Sequence, residues 1–226
     1  MIERKLLGTG LIPDGGGELK LWSRALKGGD EFSIMLGGTE LMNSRKSGSE
    51  EALATIACGL IMPSALPQIL IGGLGMGFTL RAALPLLPDD ARITVAELVP
   101  AVVDWARGPM AELYGNSLDD PRVDIRAENV AAIIGTANQA FDAILLDVDN
   151  GPDGLTHESN EAIYSSTGLI AARKALQPNG VLAVWSSAPD TGFTRRLKEC
   201  DFTISETKAR AHGTRGGHHV IWLARK

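Results

Sequence analysis

The sequence predicts an α/β fold: a mostly parallel, doubly wound seven-stranded sheet with a terminal antiparallel hairpin, preceded by a small N-terminal β region. Three observations carry that expectation. Residues 68–81, QILIGGLGMGFTLR, run an apolar strand into a glycine-dense turn and a helix start. From 49 to 185, strand-like and helix-like runs alternate, the pattern of a parallel sheet with crossover helices. A second strand, Arg92 to Ala96, ends on Glu97, which lies 24 residues beyond Gly73. At that spacing a carboxylate meets the ribose hydroxyls of a nucleoside held at the carboxyl ends of parallel strands.

Taken in order, residues 1–48 read as a small antiparallel unit and 49–226 as the main α/β domain. Glu18 to Arg24, Glu31 to Leu36 and Thr39 to Asn43 are strand-like, with 22–30 as a connection and Gly37-Gly38 as a tight turn. Ser49 followed by Glu50 and Glu51 suits a helix start, its acids complementing the helix dipole. The nearly all-apolar run 52–62 then reads as a helix packed on both sides. Strands are expected at 68–72, 92–97, 122–126, 142–147 and 181–185. The helices between them fall at 77–86, from Pro100, at 130–138 and at 162–176. Pro100 is harmless in a first turn, where its missing amide hydrogen has no partner to lose. Gln177-Pro178-Asn179-Gly180 reads as a turn. A helix at 191–199, strands at 202–207 and 218–224, and a loop at 210–217 complete the chain.

Composition narrows the function classes. In 226 residues the formal net charge is -5, which argues against nucleic acid as the main partner. Cys58 and Cys200 are too few for a disulfide framework or a zinc site, so a reducing, cytoplasmic setting is expected. Met1 to Lys5 is charged and no apolar core follows it, unlike a secretory signal. The charge-free stretch Ala52 to Leu80 is broken by Pro63, Pro67 and clustered glycines, so no membrane span is expected.

Gly72, Gly73, Gly75 and Gly77 let backbone approach a ligand without an intervening Cβ. A pyrophosphate-binding turn would carry a glycine where this chain has Phe78, which disfavours NAD; a cofactor without pyrophosphate needs only close approach of its tail and sugar. Asn129 has two compatible roles, an amide for the Watson–Crick edge of adenine and an N-cap for the following helix. Asp147 ends a strand beside the point where strand order reverses and so faces the crevice. Asp149 and Asp153 follow in an irregular loop, and such acids can hold an amine with its lone pair aimed at an electrophilic carbon. His218 and His219 alternate across a strand and cannot share an ion; with His157 and His212 they read as satisfied or solvated, so no metal is expected. Lys208, Arg210 and Arg215 read as a solvated basic run, and Trp185, Tyr164 and Phe78 as core.

With these pieces assembled, the chain resembles the spermidine synthase family, a branch of the Rossmann-like class I S-adenosylmethionine-dependent methyltransferase fold. The resemblance rests on ILIGGLGMG, ITVAELVPAVVDWAR, DPRVDIRAEN, FDAILLDVDNGP and ALQPNGVLAV. It implies that Gly72, Gly73, Leu74 and Gly75 approach the methionine part of the cofactor, that Glu97 and Leu98 flank the ribose, and that Asn129 and Val130 meet the adenine. Of the family's strand-four D-x-x-D motif, Asp147 matches the first acid and Asn150 stands at the catalytic second. An amide hydrogen-bonds an amine but cannot take its proton, and Asp149 lies one residue off register. The family's D-E followed by Tyr-His also reads here as Glu50-Glu51 followed by Ala54 and Thr55. The expectation is a transferase with S-adenosylmethionine as cofactor, moving a methyl group to a small amine or other nucleophile, with Asp147, Asp149 and Asn150 as candidate catalytic residues. The alternatives are aminopropyl transfer from decarboxylated S-adenosylmethionine and a non-catalytic binding protein. The resemblance also implies a homodimer, which the apolar 52–62 helix permits.

Overall fold

The computed structural model describes residues 4–62, 65–148, 162–212 and 215–226. A four-stranded antiparallel sheet comes first, β1 (Arg4–Leu11), β2 (Glu18–Leu26), β3 (Gly29–Leu36) and β4 (Thr39–Asn43), its strands in chain order. The main sheet holds β5 (Gln68–Gly72), β6 (Arg92–Ala96), β7 (Val123–Arg126), β8 (Phe141–Leu146), β9 (Leu176–Ser186), β10 (Thr203–His212) and β11 (Arg215–Arg225). Its spatial order is β10-β11-β9-β8-β5-β6-β7, with β9 to β7 parallel and the terminal hairpin antiparallel. The chain lays down β5, β6 and β7 outward in one direction and then returns to place β8 on the other flank of β5. The topological switch point therefore falls between β5 and β8, where ligands of open α/β sheets bind.

Side-chain alternation sorts the sheet into two cores. Ile69, Ile71, Ala143 and Leu145 face α1 (Gly48–Gly59), α2 (Phe78–Ala83), α3 (Pro100–Arg107) and α4 (Ala111–Tyr114). Leu70, Ile144 and Leu146 face α5 (Val130–Thr136), α6 (Ser166–Ala175) and α7 (Thr191–Glu199). Cover on both faces is why the central strands read as continuous apolar runs. Leu19, Leu21, Phe32 and Ile34 join the first core, so the small sheet packs on the same side as α1 to α4. In register, Gly72 lies opposite both Ala96 and Leu146. The first residues past the three strand ends, Gly73, Glu97 and Asp147, consequently emerge at one level.

Several local expectations change. Residues 4–11 form a strand that glycine and charge concealed, and the connection over 22–30 shrinks to a turn between Leu26 and Gly29. Helix α1 is buried on one side only: Ser49, Leu53, Ala54 and Ala57 are buried, while Thr55 and Gly59 are exposed. Its N-cap position is Ser47, and Ser49 lies within the first turn. The segment 177–180 lies within β9 rather than outside it, with Asn179 at φ +65°. The loop expected over 210–217 is largely strand, because the hairpin pairs through to His212 and Arg215. Among the described residues no helix is long and apolar enough to cross a membrane.

Candidate active site

The glycine turn does two different jobs. Gly73, at φ +92°, brings its α-carbon so close to β8 that a Cβ would stand 2.4 Å from the Asp147 carbonyl oxygen. Gly77, at φ +76°, lies under the Tyr114 ring, where a Cβ would meet a ring carbon at 2.4 Å. Gly72 is enclosed by Leu146 and Val130. Gly73 and Gly75 line the space at the strand ends, Gly73 also permitting the close approach to β8, while Gly72 and Gly77 serve packing.

A cavity of about 100 Å³ opens above the turn. Gly73, Gly75, Glu97, Leu98, Asn129, Val130 and Asp147 line it, and Leu41 and Met42 of β4 close it from the small sheet. Glu97 is buried, and its two oxygens accept the amide hydrogens of Leu74 at 3.0 Å and Val99 at 2.9 Å. These bonds fix the carboxylate between turn and strand and leave lone pairs for a ligand. Burial pushes the Glu97 carboxyl up, against the pull of the amides around it. Asn129 caps α5, its Oδ1 accepting from the Ala131 amide at 2.9 Å, which leaves its side-chain NH₂ to donate toward the cavity.

A second cavity of about 80 Å³ adjoins the first. Asp147, Gly75, Leu41 and Met42 line both, while Glu50, Asn43, Leu74, Met76, Phe78 and Trp185 line the second alone. The Thr79 hydroxyl donates to Asp147 Oδ2 at 2.6 Å. Burial, followed by the nearby Glu50 carboxylate, raises Asp147 to about 7. Burial likewise raises Glu50, although the Ser49 hydroxyl donates to its Oε2 at 2.6 Å. Two acids that each disfavour the other's charge make a site that welcomes a cation.

Among the described residues the two cavities are lined by the acids Glu50, Glu97, Glu128 and Asp147, and by no Lys or Arg. The stretch 149–161 adds four acids and no Lys or Arg to the sequence. Asp149, Asn150, Asp153 and His157 lie outside the described residues. Among the described residues no group of three or more His, Cys, Asp or Glu is arranged for a metal ion. Sequence reasoning missed Glu50 and Trp185 as cavity residues and Thr79 as the hydrogen-bond partner of Asp147. Glu50 looks like any acid of a first helical turn, and no local signal marks the fold that turns it toward Asp147.

An open, doubly wound sheet with a glycine turn, a strand-end acid and a switch-point acid around one cavity is the Rossmann-like class I methyltransferase architecture. No family model matches the chain. Its curated relatives include the polyamine aminopropyltransferase of Nitrosomonas europaea, 32% identical over 124 residues covering 54% of this chain and 36% of that protein. The polyamine aminopropyltransferase of Sulfolobus acidocaldarius is 27% identical over 122 residues, 54% of this chain and 39% of that protein. The match thus spans a little over a third of these relatives. Among solved structures, the spermidine synthase of Thermotoga maritima superposes with a TM-score of 0.76 at 21% identity, covering 98% of this chain and 73% of that one. A Burkholderia thailandensis 1,6-didemethyltoxoflavin-N1-methyltransferase superposes at 0.55 and 21% identity, covering 80% of this chain and 79% of that one. The chain is thus similar in sequence, over about half its length, to polyamine aminopropyltransferases, and in fold to a spermidine synthase.

Proposed function

We propose that this chain is a transferase that moves the aminopropyl group of decarboxylated S-adenosylmethionine onto a small cationic amine. The observation that carries this reading is the charge of the two joined cavities. Among the described residues acids line them and no Lys or Arg does, so an ammonium group finds anionic partners there while a donor carboxylate finds no cationic one. The names of the curated relatives support aminopropyl transfer over methyl transfer.

In this reading the first cavity holds the donor. Gly73 and Gly75 admit its tail, Glu97 accepts from the ribose hydroxyls, and the Asn129 amide donates to adenine. The donor supplies a sulfonium carbon, and its thioether leaves without help from an acid. The second cavity holds the amine, with Asp147 in the shared wall orienting the nitrogen toward that carbon. Rate enhancement comes from holding nucleophile and electrophile in line, and from apolar walls such as Met76, Phe78 and Trp185 that exclude water. Glu50, carried by α1, gives the site a second carboxylate where position 150 holds an amide. The half-covered side of α1 would suit a second copy of the chain. The two free cysteines, Cys58 and Cys200, suit a reducing cytoplasm.

Methyl transfer from S-adenosylmethionine is the second reading, and Asn150 favours it, because a neutral amide handles an amine without taking its proton. Incubation with each donor and a series of mono- and diamines, followed by mass spectrometry, separates the two. The expected product is an aminopropylated amine with the matching thioether. A methylated amine formed from S-adenosylmethionine alone would establish the second reading, and donor binding without turnover of any amine would mark a non-catalytic protein.

A further inference from the structure

A chain of three side chains leads out of the second cavity. Glu50 stands in its wall, the Ser49 hydroxyl donates to Glu50 Oε2 at 2.6 Å, and His219 Nδ1 lies 2.8 Å from Ser49 Oγ. Ser49 is fully buried, whereas His219 on β11 is half-buried, its ring edge-on to Trp185 at a centroid distance of 4.7 Å. The series joins α1, near the start of the main fold, to the last strand 170 residues away.

The hydrogen count of the three groups allows two polarities. A hydroxyl has one proton. With Glu50 ionised, Ser49 spends that proton on the carboxylate, so His219 must donate from Nδ1. With Glu50 protonated, the carboxyl donates to Ser49, Ser49 donates to His219 Nδ1, and the ring carries its hydrogen on Nε2. The same three groups therefore support both polarities without any heavy atom moving.

We propose that Glu50 accepts the proton that the substrate ammonium must lose, and that Ser49 and His219 carry it toward solvent. The step balances. The ammonium N–H bond breaks, its proton goes to Glu50, and the freed lone pair forms the C–N bond as the C–S bond breaks to a neutral thioether. Once Glu50 is protonated, the ring exchanges its hydrogen from Nδ1 to Nε2 through solvent and the Ser49 hydroxyl turns toward Nδ1. The proton then passes from Glu50 through Ser49 to Nδ1, and one proton leaves from Nε2 per turnover. Glu50 is the catalytic acceptor in this scheme, and Ser49 and His219 are positioning residues. The scheme deepens the aminopropyl-transfer reading and rests on it.

The charges facing the chain fit this direction of flow. Lys46 and Glu51 act on Glu50 from its own helix region, and Asp147 faces it across the cavity. Burial raises Glu50, making it a better base than an ordinary carboxylate, while burial and Lys46 lower His219, so the ring sheds what it receives. On β10, Ala209 pairs with His219, while Lys208 and Arg210 pair with Val220 and His218 on the opposite face of the sheet, so Lys46 is the cation that acts on the ring.

Two measurements test the relay apart from the function. In the protein without ligands, the His219 imidazole is titrated by NMR in the wild type and in Glu50→Gln. A displaced titration midpoint is expected, and an unmoved one would overturn the coupling whatever the enzyme turns over. In turnover of decarboxylated S-adenosylmethionine with a diamine, Glu50→Gln is expected to lower kcat by about 10²-fold, the usual scale of a lost general base. His219→Gln and Ser49→Ala should each lower kcat by a smaller, similar factor and displace the pH profile. Their double variant should be no worse than either single one, as for residues acting in series. Multiplicative losses with a wild-type pH profile would refute the relay. Absence of wild-type turnover with every amine would instead refute the aminopropyl-transfer reading, leaving the titration to judge the coupling.

Discussion

At the scale of single residues, Asp147 concentrates the chemistry of the site. Its carboxyl is lifted from 3.8 to about 7, chiefly by burial and then by Glu50, while the Thr79 hydroxyl pulls the other way. A carboxyl raised on folding binds a proton in the native state that it lacks in the unfolded chain. Stability is therefore fully present below 3.8 and falls as pH rises toward about 7. Asp147→Asn keeps an acceptor for Thr79 and has no such penalty. The melting temperature of the variant should match the wild type in acid and exceed it above neutrality, by the equivalent of a few kcal/mol, on the order of 1.4 kcal/mol per pKa unit. Turnover should fall at the same time. A stability gap that does not change with pH would contradict this account of Asp147. Since a bound cation favours the ionised carboxyl, amine affinity should also strengthen as pH rises through this range.

Elements place these residues, and they divide into those legible in the sequence and those that were not. The central strands and the glycine turn were legible because apolar runs, glycine density and the distance to Glu97 are local signals. The cap role of Asn129 was legible, since an Asn ahead of an apolar helix caps it, and its place after β7 sets it at the cavity, where the proposed adenine contact would fall. The two roles separate experimentally. Asn129→Ser keeps a good cap, so the melting temperature should change by no more than ~1 kcal/mol would move it, while donor affinity falls by an amount on the order of tenfold for the lost amide bond. A fall in melting temperature with unchanged affinity would leave Asn129 a cap only. Glu50 was not legible as a site residue, nor His219 as its neighbour. The face of α1 that turns inward and the long reach of the terminal hairpin are tertiary facts. The 4–11 strand was hidden for a related reason: its burial pattern is mostly exposed, so hydrophobic alternation does not mark it.

For the whole molecule, the decisive feature is that acids from separate elements gather at the carboxyl ends of the central strands. Glu50 comes from α1, Glu97 from the end of β6 and Asp147 from the end of β8, while the small sheet lowers Met42 over the gap between the cavities. This arrangement makes the charge of the donor tail the sharpest discriminator between the two transfer chemistries. Calorimetric titration of the intact chain with decarboxylated S-adenosylmethionine and, separately, with S-adenosylmethionine reads it directly. Tighter binding of the decarboxylated donor is the expected result, because among the described residues acids line both cavities and no Lys or Arg does. Tighter binding of the carboxylated donor would contradict the assignment of aminopropyl transfer.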